Sequence, residues 1–246
     1  MLRQHSHAER GSECPRCYPA YTGLFLMAIR SLRGLYAITD ATLAARDGVV
    51  EQVRQALAGG ARVIQYRDKG QDADRRLREA SALAALCREQ GVPLIINDDV
   101  ALAVASGAAG VHLGRDDPAI GPARERLGPE AIIGVSCYDR LELALAAAEA
   151  GADYIAFGRF FPSSTKPLAV QARPELLREA RRRIPLPLVA IGGITPENGR
   201  LLIEAGADLL AVIHAVFGQA DVVAACRRFA GVFESLATNE ARKGQE

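Results

Sequence analysis

The sequence predicts a single α/β domain in which eight parallel strands, each followed by a helix, close into a (β/α)8 barrel of the TIM type. Three observations carry the prediction. From Gly34 onward, short apolar runs suited to buried strands alternate with segments of helical period. One phrase recurs where a helix would hand over to a strand: Ala58-Gly-Gly-Ala-Arg-Val-Ile, Ala150-Gly-Ala-Asp-Tyr-Ile-Ala and Ala205-Gly-Ala-Asp-Leu-Leu-Ala. Each holds a glycine able to end a helix with positive φ, then a short turn into a strand. No linker rich in Pro, Gly or Ser divides the region, and eight such units in roughly 200 residues match the smaller barrels. An open doubly wound sheet is the alternative, but the first strand runs into Ala37-Ile-Thr-Asp40 without its glycine-rich fingerprint.

The strands are placed at Leu35–Thr39, Arg62–Tyr66, Leu94–Asn97, Val111–Leu113, Ile132–Val135, Tyr154–Phe157, Leu188–Ile191 and Leu209–Ile213. Between the second and third, Asp74–Gln90 reads as a helix with Leu77, Ala80, Ala84 and Cys87 on one face. The last helix shows Val222, Cys226, Phe229 and Phe233 at similar spacing. The barrel is bounded at residues 32–237, with an extension at 1–31 and a disordered tail at 238–246. Met1 to Ser31 show little periodicity, and Glu9, Glu13 and the Cys14/Cys17 pair argue against a secretory signal. A zinc clip of Cys14 and Cys17 with His5 and His7 is the rival reading, although a single CxxC with histidines upstream has no recognised spacing. Met27 offers an alternative start, and deletion before about Leu32 is expected to leave the barrel intact.

Composition narrows the function. Hydrophobic residues make up 49% of the chain, enough for a substantial core, while aromatics are only 5% and Trp is absent, which favours aliphatic strands wrapped by helices. A formal net charge of +1 provides no global attraction to nucleic acid or to a membrane, so an anionic ligand has to be held by local cations. The basic run Arg181-Arg182-Arg183 suits a helix C-terminus. Five scattered cysteines imply no disulfide framework and point to a reducing cytoplasm.

In such a barrel the chemistry gathers at the C-terminal ends of the strands. Strand two ends Gln65-Tyr66-Arg67-Asp68-Lys69, and alternation points Gln65, Arg67 and Lys69 one way, as an anion cradle. Strand three ends Asn97-Asp98-Asp99 and strand four leads into His112-Leu-Gly-Arg-Asp116-Asp117. Carboxylates on neighbouring strand ends suit Mg2+, which takes one or two of them with phosphate oxygens. The competing reading is that Asp98 and Asp117 cap the helices that follow. Strand six continues into Ser163-Ser-Thr165-Lys166 between two prolines, and strand seven ends Gly192-Gly193 before Thr195 and Pro196, a cap and first position for the next helix. With Ile213 and His214 after strand eight, backbone N–H groups and a helix N-terminus make a phosphate site. A diphosphate–metal site and a monophosphate site in one barrel point to a transferase.

Leu35-Tyr-Ala-Ile-Thr-Asp40, Gln65-Tyr-Arg-Asp-Lys69, Asn97-Asp-Asp99, Val111-His-Leu-Gly114, Gly134-Val-Ser136, Gly158-Arg-Phe-Phe-Pro162, Thr165-Lys166 and Ile191-Gly-Gly-Ile-Thr195 occur in one order. In that order the chain resembles the thiamine-phosphate synthase family over about Gly34 to Phe233. The resemblance implies that Gln65, Arg67, Lys69, Asn97, Ser136 and Lys166 hold a pyrimidine diphosphate, with Arg67, Lys69, Lys166 and Ser136 acting in catalysis. It implies Mg2+ on Asp98 and Asp117, and a thiazole phosphate on Ser163, Thr165 and backbone groups of Gly193, Ile213 and His214. His214 stands where the family often carries serine. The implied chemistry is dissociative: diphosphate leaves the pyrimidine methylene, and the thiazole nitrogen captures the resulting cation. Small-molecule substrates are the expected partners, a homo-oligomer is compatible with the chain, and nucleic acid and membrane are not expected. A thiazole tautomerase-like paralogue and a non-catalytic regulatory barrel stay open as alternatives.

Overall fold

The structure, a computed structural model, describes residues 33–43, 48–162 and 170–243. Its strands are β1 (Gly34–Ile38), β2 (Val63–Tyr66), β3 (Leu94–Asn97), β4 (Gly110–Leu113), β5 (Ile132–Tyr138), β6 (Tyr154–Gly158), β7 (Leu188–Ile191) and β8 (Leu209–Val212). All pairings are parallel, and β1 bonds to both β2 and β8, so the ring closes in sequence order. The helices are α1 (Val49–Ala58), α2 (Ala73–Glu89), α3 (Val100–Ser106), α4 (Ile120–Leu127), α5 (Leu141–Glu149), α6 (Pro174–Arg183), α7 (Pro196–Glu204), α8 (His214–Phe217) and α9 (Val222–Lys243).

Strand alternation divides the core in two. Leu35, Ala37, Ile64 and Ile96 face outward into the layer shared with the helices. Tyr36, Val63, Ile95, Ile132, Tyr154 and Leu209 fill the barrel itself. The eight expected strands are all present, but β5 runs past the expected Val135 to Tyr138, with a register shift between Ser136 and Tyr138. Polar and aromatic residues there end the apolar run that marked the strand.

Two further expectations need correction. Leu77 is 38% exposed and does not share the buried stripe of α2, which is Ala80, Leu83, Ala84, Leu86 and Cys87. The first two turns of α2 instead meet the barrel through polar contacts: Tyr66 Oη donates to Glu79 at 2.7 Å and Arg75 pairs with Asp68 at 2.6 Å. The tail expected from residue 238 continues α9 to Lys243, because Thr238-Asn-Glu-Ala-Arg-Lys contains no Gly or Pro to stop a helix. Val222, Cys226 and Phe229 are buried in α9 as expected, while Phe233 is only partly covered.

The repeated phrase proves to be a device of the barrel floor. Gly60, Gly151 and Gly206 adopt φ of 93°, 92° and 113°, open to glycine at little cost. In the second and third copies, the aspartate two residues after the glycine then reaches the preceding strand. Asp153 accepts the N–H of Ile133 at 2.8 Å and pairs with Arg124 of α4 at 2.7 Å. Asp208 accepts the N–H of Leu188 at 2.8 Å and pairs with Arg181 of α6. These contacts lie opposite the catalytic end, where a barrel's residues serve stability.

Cys87, Cys137 and Cys226 are buried free thiols, and burial pushes each up to about 12. With Cys14 and Cys17 changed to serine, a thiol reagent at neutral pH should titrate none of the three in native buffer and all three in denaturant. Stoichiometric labelling before unfolding would contradict the burial.

Candidate active site

At the C-terminal ends of the strands the inward-facing side chains open into a cavity of about 360 Å3. Gln65, Arg67, Asn97 and Ser136 line it from β2, β3 and β5. Gly193, Ile213 and His214 line it from the ends of β7 and β8. These sequence-predicted residues therefore share one chamber. Ser163, Thr165 and Lys166 lie outside the described residues, as does the whole 1–32 segment.

Alternation after β2 holds for Gln65 and Arg67, which line the cavity, whereas Lys69 is not among the lining residues and turns to Asp98. Asp68 turns outward to Arg75, accepting the Gly70 N–H at 2.6 Å, while Arg67 turns in. The Arg67 backbone is pinned by Thr39, whose Oγ1 accepts its N–H at 2.9 Å, and its guanidinium lies 3.5 Å from Asp40. Asp40 is thus a partner of the cradle that strand-end reasoning left without a role.

The three aspartates after β3 and β4 separate by task. Asp99 caps α3, accepting the Leu102 N–H at 2.9 Å, so Asp98 is not the cap. Asp98 stands at φ 66°, a left-handed conformation that Asp tolerates better than most residues, and Lys69 Nζ donates to its carboxylate. Asp117 accepts the Gly114 N–H at 2.6 Å, and the N-cap of α4 is Ala119, which makes no side-chain cap bond. Neither capping alternative survives.

Burial acts to raise the Asp98 carboxyl, but the Lys69 ammonium and a hydrogen bond with Asp117 together hold the group below the usual carboxylate range. Burial raises Asp117; the Gly114 N–H opposes this, and the adjacent Asp98 carboxylate adds to the rise. Asp98 and Asp117 interact directly and both feel the Lys69 ammonium, so two carboxylates set against one ammonium form an all-oxygen donor set. That fits a hard divalent cation. Among the described residues no group of three or more His, Cys, Asp or Glu stands in metal-binding array. Water and substrate oxygens would complete a Mg2+ shell.

On the far side, Thr195 caps α7 as expected, and the structure adds a reciprocal bond that makes a capping box: Asn198 N–H donates to Thr195 Oγ1 at 3.4 Å and Thr195 N–H to Asn198 Oδ1 at 2.9 Å. Gly192 and Gly193 have φ of 102° and 64°, and a Cβ on Gly193 would lie 2.2 Å from the Pro162 carbonyl. Only glycine lets this strand end pass so close to the β6 loop. α8 starts directly after β8, so its leading N–H groups, which have no intrahelical acceptor, belong to residues that line the cavity.

A family model described as thiamine monophosphate synthase matches residues 35–216. The chain belongs to that family. It is similar to the thiamine-phosphate synthase of Nitrosococcus oceani, at 54% identity over 205 residues, 83% of this chain and 94% of the relative. A thiamine-phosphate synthase of Thiobacillus denitrificans is 56% identical over 189 residues, 77% of this chain and 89% of the relative. The solved thiamine phosphate pyrophosphorylase of Pyrococcus furiosus superposes with a TM-score of 0.75 at 38% identity, covering 84% of this chain and 98% of that one.

Within the family frame, several lining residues had no role in the sequence reading: Tyr36, His112, Tyr138 and Arg159. Tyr154 stands just beneath, its ring stacked on His112 at 5.6 Å and edge-on to Tyr36 at 6.0 Å. The signal was present as polar or aromatic residues at inward strand positions, beside a glycine. Gly134 sits in register between His112 and Tyr154, and a Cβ there would lie 1.9 Å from Tyr154 Cζ. Gly134→Ala is therefore expected to destabilise the barrel by about 1–3 kcal/mol, the usual range for overpacking. Denaturant unfolding reads this, and wild-type stability would mean that the ring has room to move.

Proposed function

We propose that this barrel transfers the pyrimidinylmethyl group of hydroxymethylpyrimidine diphosphate to the ring nitrogen of a thiazole phosphate, giving thiamine phosphate and diphosphate. The observation that carries it is the Asp98–Asp117–Lys69 cluster, which follows β2, β3 and β4 at the same end of the barrel as a chamber lined by Arg67 and Asn97 on one side and by glycine and the start of α8 on the other. Such a chamber suits two phosphorylated ligands at once. Asp98 and Asp117 would hold Mg2+, which when bound supplies charge neutralisation for the diphosphate.

The C–O bond electrons leave with diphosphate, and the thiazole nitrogen lone pair forms the new C–N bond. Arg67 and Lys69, with Lys166, meet the charge that grows on the departing oxygens, by preorganised electrostatics rather than through a protein nucleophile. Ser163, Thr165, Gly193, Ile213 and His214 orient the thiazole phosphate. A cytoplasmic setting accords with three buried free thiols, and no helix among the described residues is long and apolar enough to cross a membrane.

The test is diphosphate release by the purified chain, with Mg2+ and both substrates. Release that needs both supports the reading. Isomerisation of a thiazole carboxylate without diphosphate release, or binding without turnover, would replace it.

A further inference from the structure

Gln65 on β2 and Ser136 on β5 are joined by an unbroken hydrogen-bond chain through residues to which the proposed reaction assigns no task. Gln65 Nε2 donates to Tyr36 Oη at 2.8 Å, and Tyr36 Oη lies 2.8 Å from Tyr154 Oη. Tyr154 Oη lies 2.9 Å from His112 Nδ1, and His112 Nε2 lies 2.8 Å from Ser136 Oγ. Tyr36 is 1% exposed and Tyr154 0%, so solvent does not compete for the central links.

Counting protons gives the chain a direction. Burial pushes both phenols far above their ordinary range, so each keeps its single proton at neutral pH. Tyr36 Oη accepts from Gln65, so its own proton goes to Tyr154, and the Tyr154 proton goes to His112 Nδ1. His112 Nδ1 is then the acceptor of that bond, and the ring's other nitrogen, Nε2, faces Ser136 Oγ as donor. The serine proton is left as the chain's free end, on a residue that lines the cavity.

We propose that Tyr36 and Tyr154 are positioning residues for the transfer reaction, which through His112 hold the Ser136 hydroxyl with its proton aimed into the cavity, at an anionic oxygen of the leaving group. The identity of that oxygen rests on the proposed function; the direction of the chain does not. A reversed chain, with Gln65 Oε1 accepting from Tyr36, would end with Ser136 donating to His112. It would turn a lone pair toward the anion and repel it. The directed chain instead presents a preorganised donor where negative charge develops.

Long-range 1H–15N NMR of the free, 15N-histidine-labelled full chain reads the direction, with His112 assigned by its loss in His112→Asn. The expected result is the Nε2–H tautomer, becoming a mixture in Tyr154→Phe. An Nδ1–H tautomer or an imidazolium in the wild type, or an unchanged tautomer in Tyr154→Phe, would overturn the proposal. Tyr154→Phe keeps the ring against Gly134 and His112. It should lower kcat for diphosphate release about 10-fold, the scale of one net hydrogen bond, with KM little changed. Added to Ser136→Ala it should cost less than about 2-fold more, because the tyrosine acts through the serine. A full 10-fold loss in that background would make the tyrosine merely structural. If the wild type releases no diphosphate, the proposed function fails, and the tautomer still decides the chain.

Discussion

Asp98→Asn should lower the rate of diphosphate release about 10²–10³-fold, the largest effect expected of any single change at the site. The substitution keeps the volume, and asparagine tolerates the φ of 66° that the backbone adopts there, so the fold should hold. What it removes is one of two oxygen-donor carboxylates and the charge that engages Lys69. The second consequence is a weakened response to Mg2+. Titrating Mg2+ against activity should show half-saturation displaced upward by at least about 10-fold, with partial rescue at high metal. Thermal unfolding of the metal-free protein serves as the control and should change little. An unchanged Mg2+ dependence would sink the metal assignment, whatever happened to the rate.

Arg67→Ala comes second, with kcat expected to fall about 10²-fold, as for one preorganised contact to developing charge. Its backbone is held by Thr39 and its guanidinium is aligned by Asp40, so little reorganisation is needed when charge builds on the diphosphate. Arg67→Lys should also be impaired, because a lysine keeps the charge and loses the planar fork. Steady-state kinetics at saturating substrates decides the matter. A normal kcat with only a raised KM would show that Arg67 binds ground state and transition state equally. The same expectation holds for Lys166.

Legibility followed the range over which each signal acts. The strands could be read because each is a short apolar run, and the helices because their caps and periods lie within a few residues. Where sequence reading failed locally, polar contacts had replaced the apolar cue, as at Leu77 in the second turn of α2. The α9 end was misplaced because its last residues have no apolar stripe but nothing that breaks a helix. At Asn97-Asp98-Asp99 the choice between cap and ligand could not be made from the letters. One residue of shift in the start of α3 exchanges the roles, and only the fold showed Asp99 as the cap.

The sequence by itself determined the eight-unit barrel, the family and the gathering of Gln65, Arg67, Asn97, Asp98, Ser136 and Gly193 at one end. Those are consequences of periodicity and of the rule that strand ends converge. Only the tertiary structure decided that Tyr36, Tyr154 and His112 form one wire, and that Asp153 and Asp208 clamp the floor. Tyr36 and Tyr154 are 118 positions apart. Their hydroxyls meet because ring closure sets the register His112–Gly134–Tyr154, and because Gly134 leaves the space that the tyrosine ring crosses. Register between distant strands is the joint outcome of all eight pairings, and no local stretch of sequence encodes it.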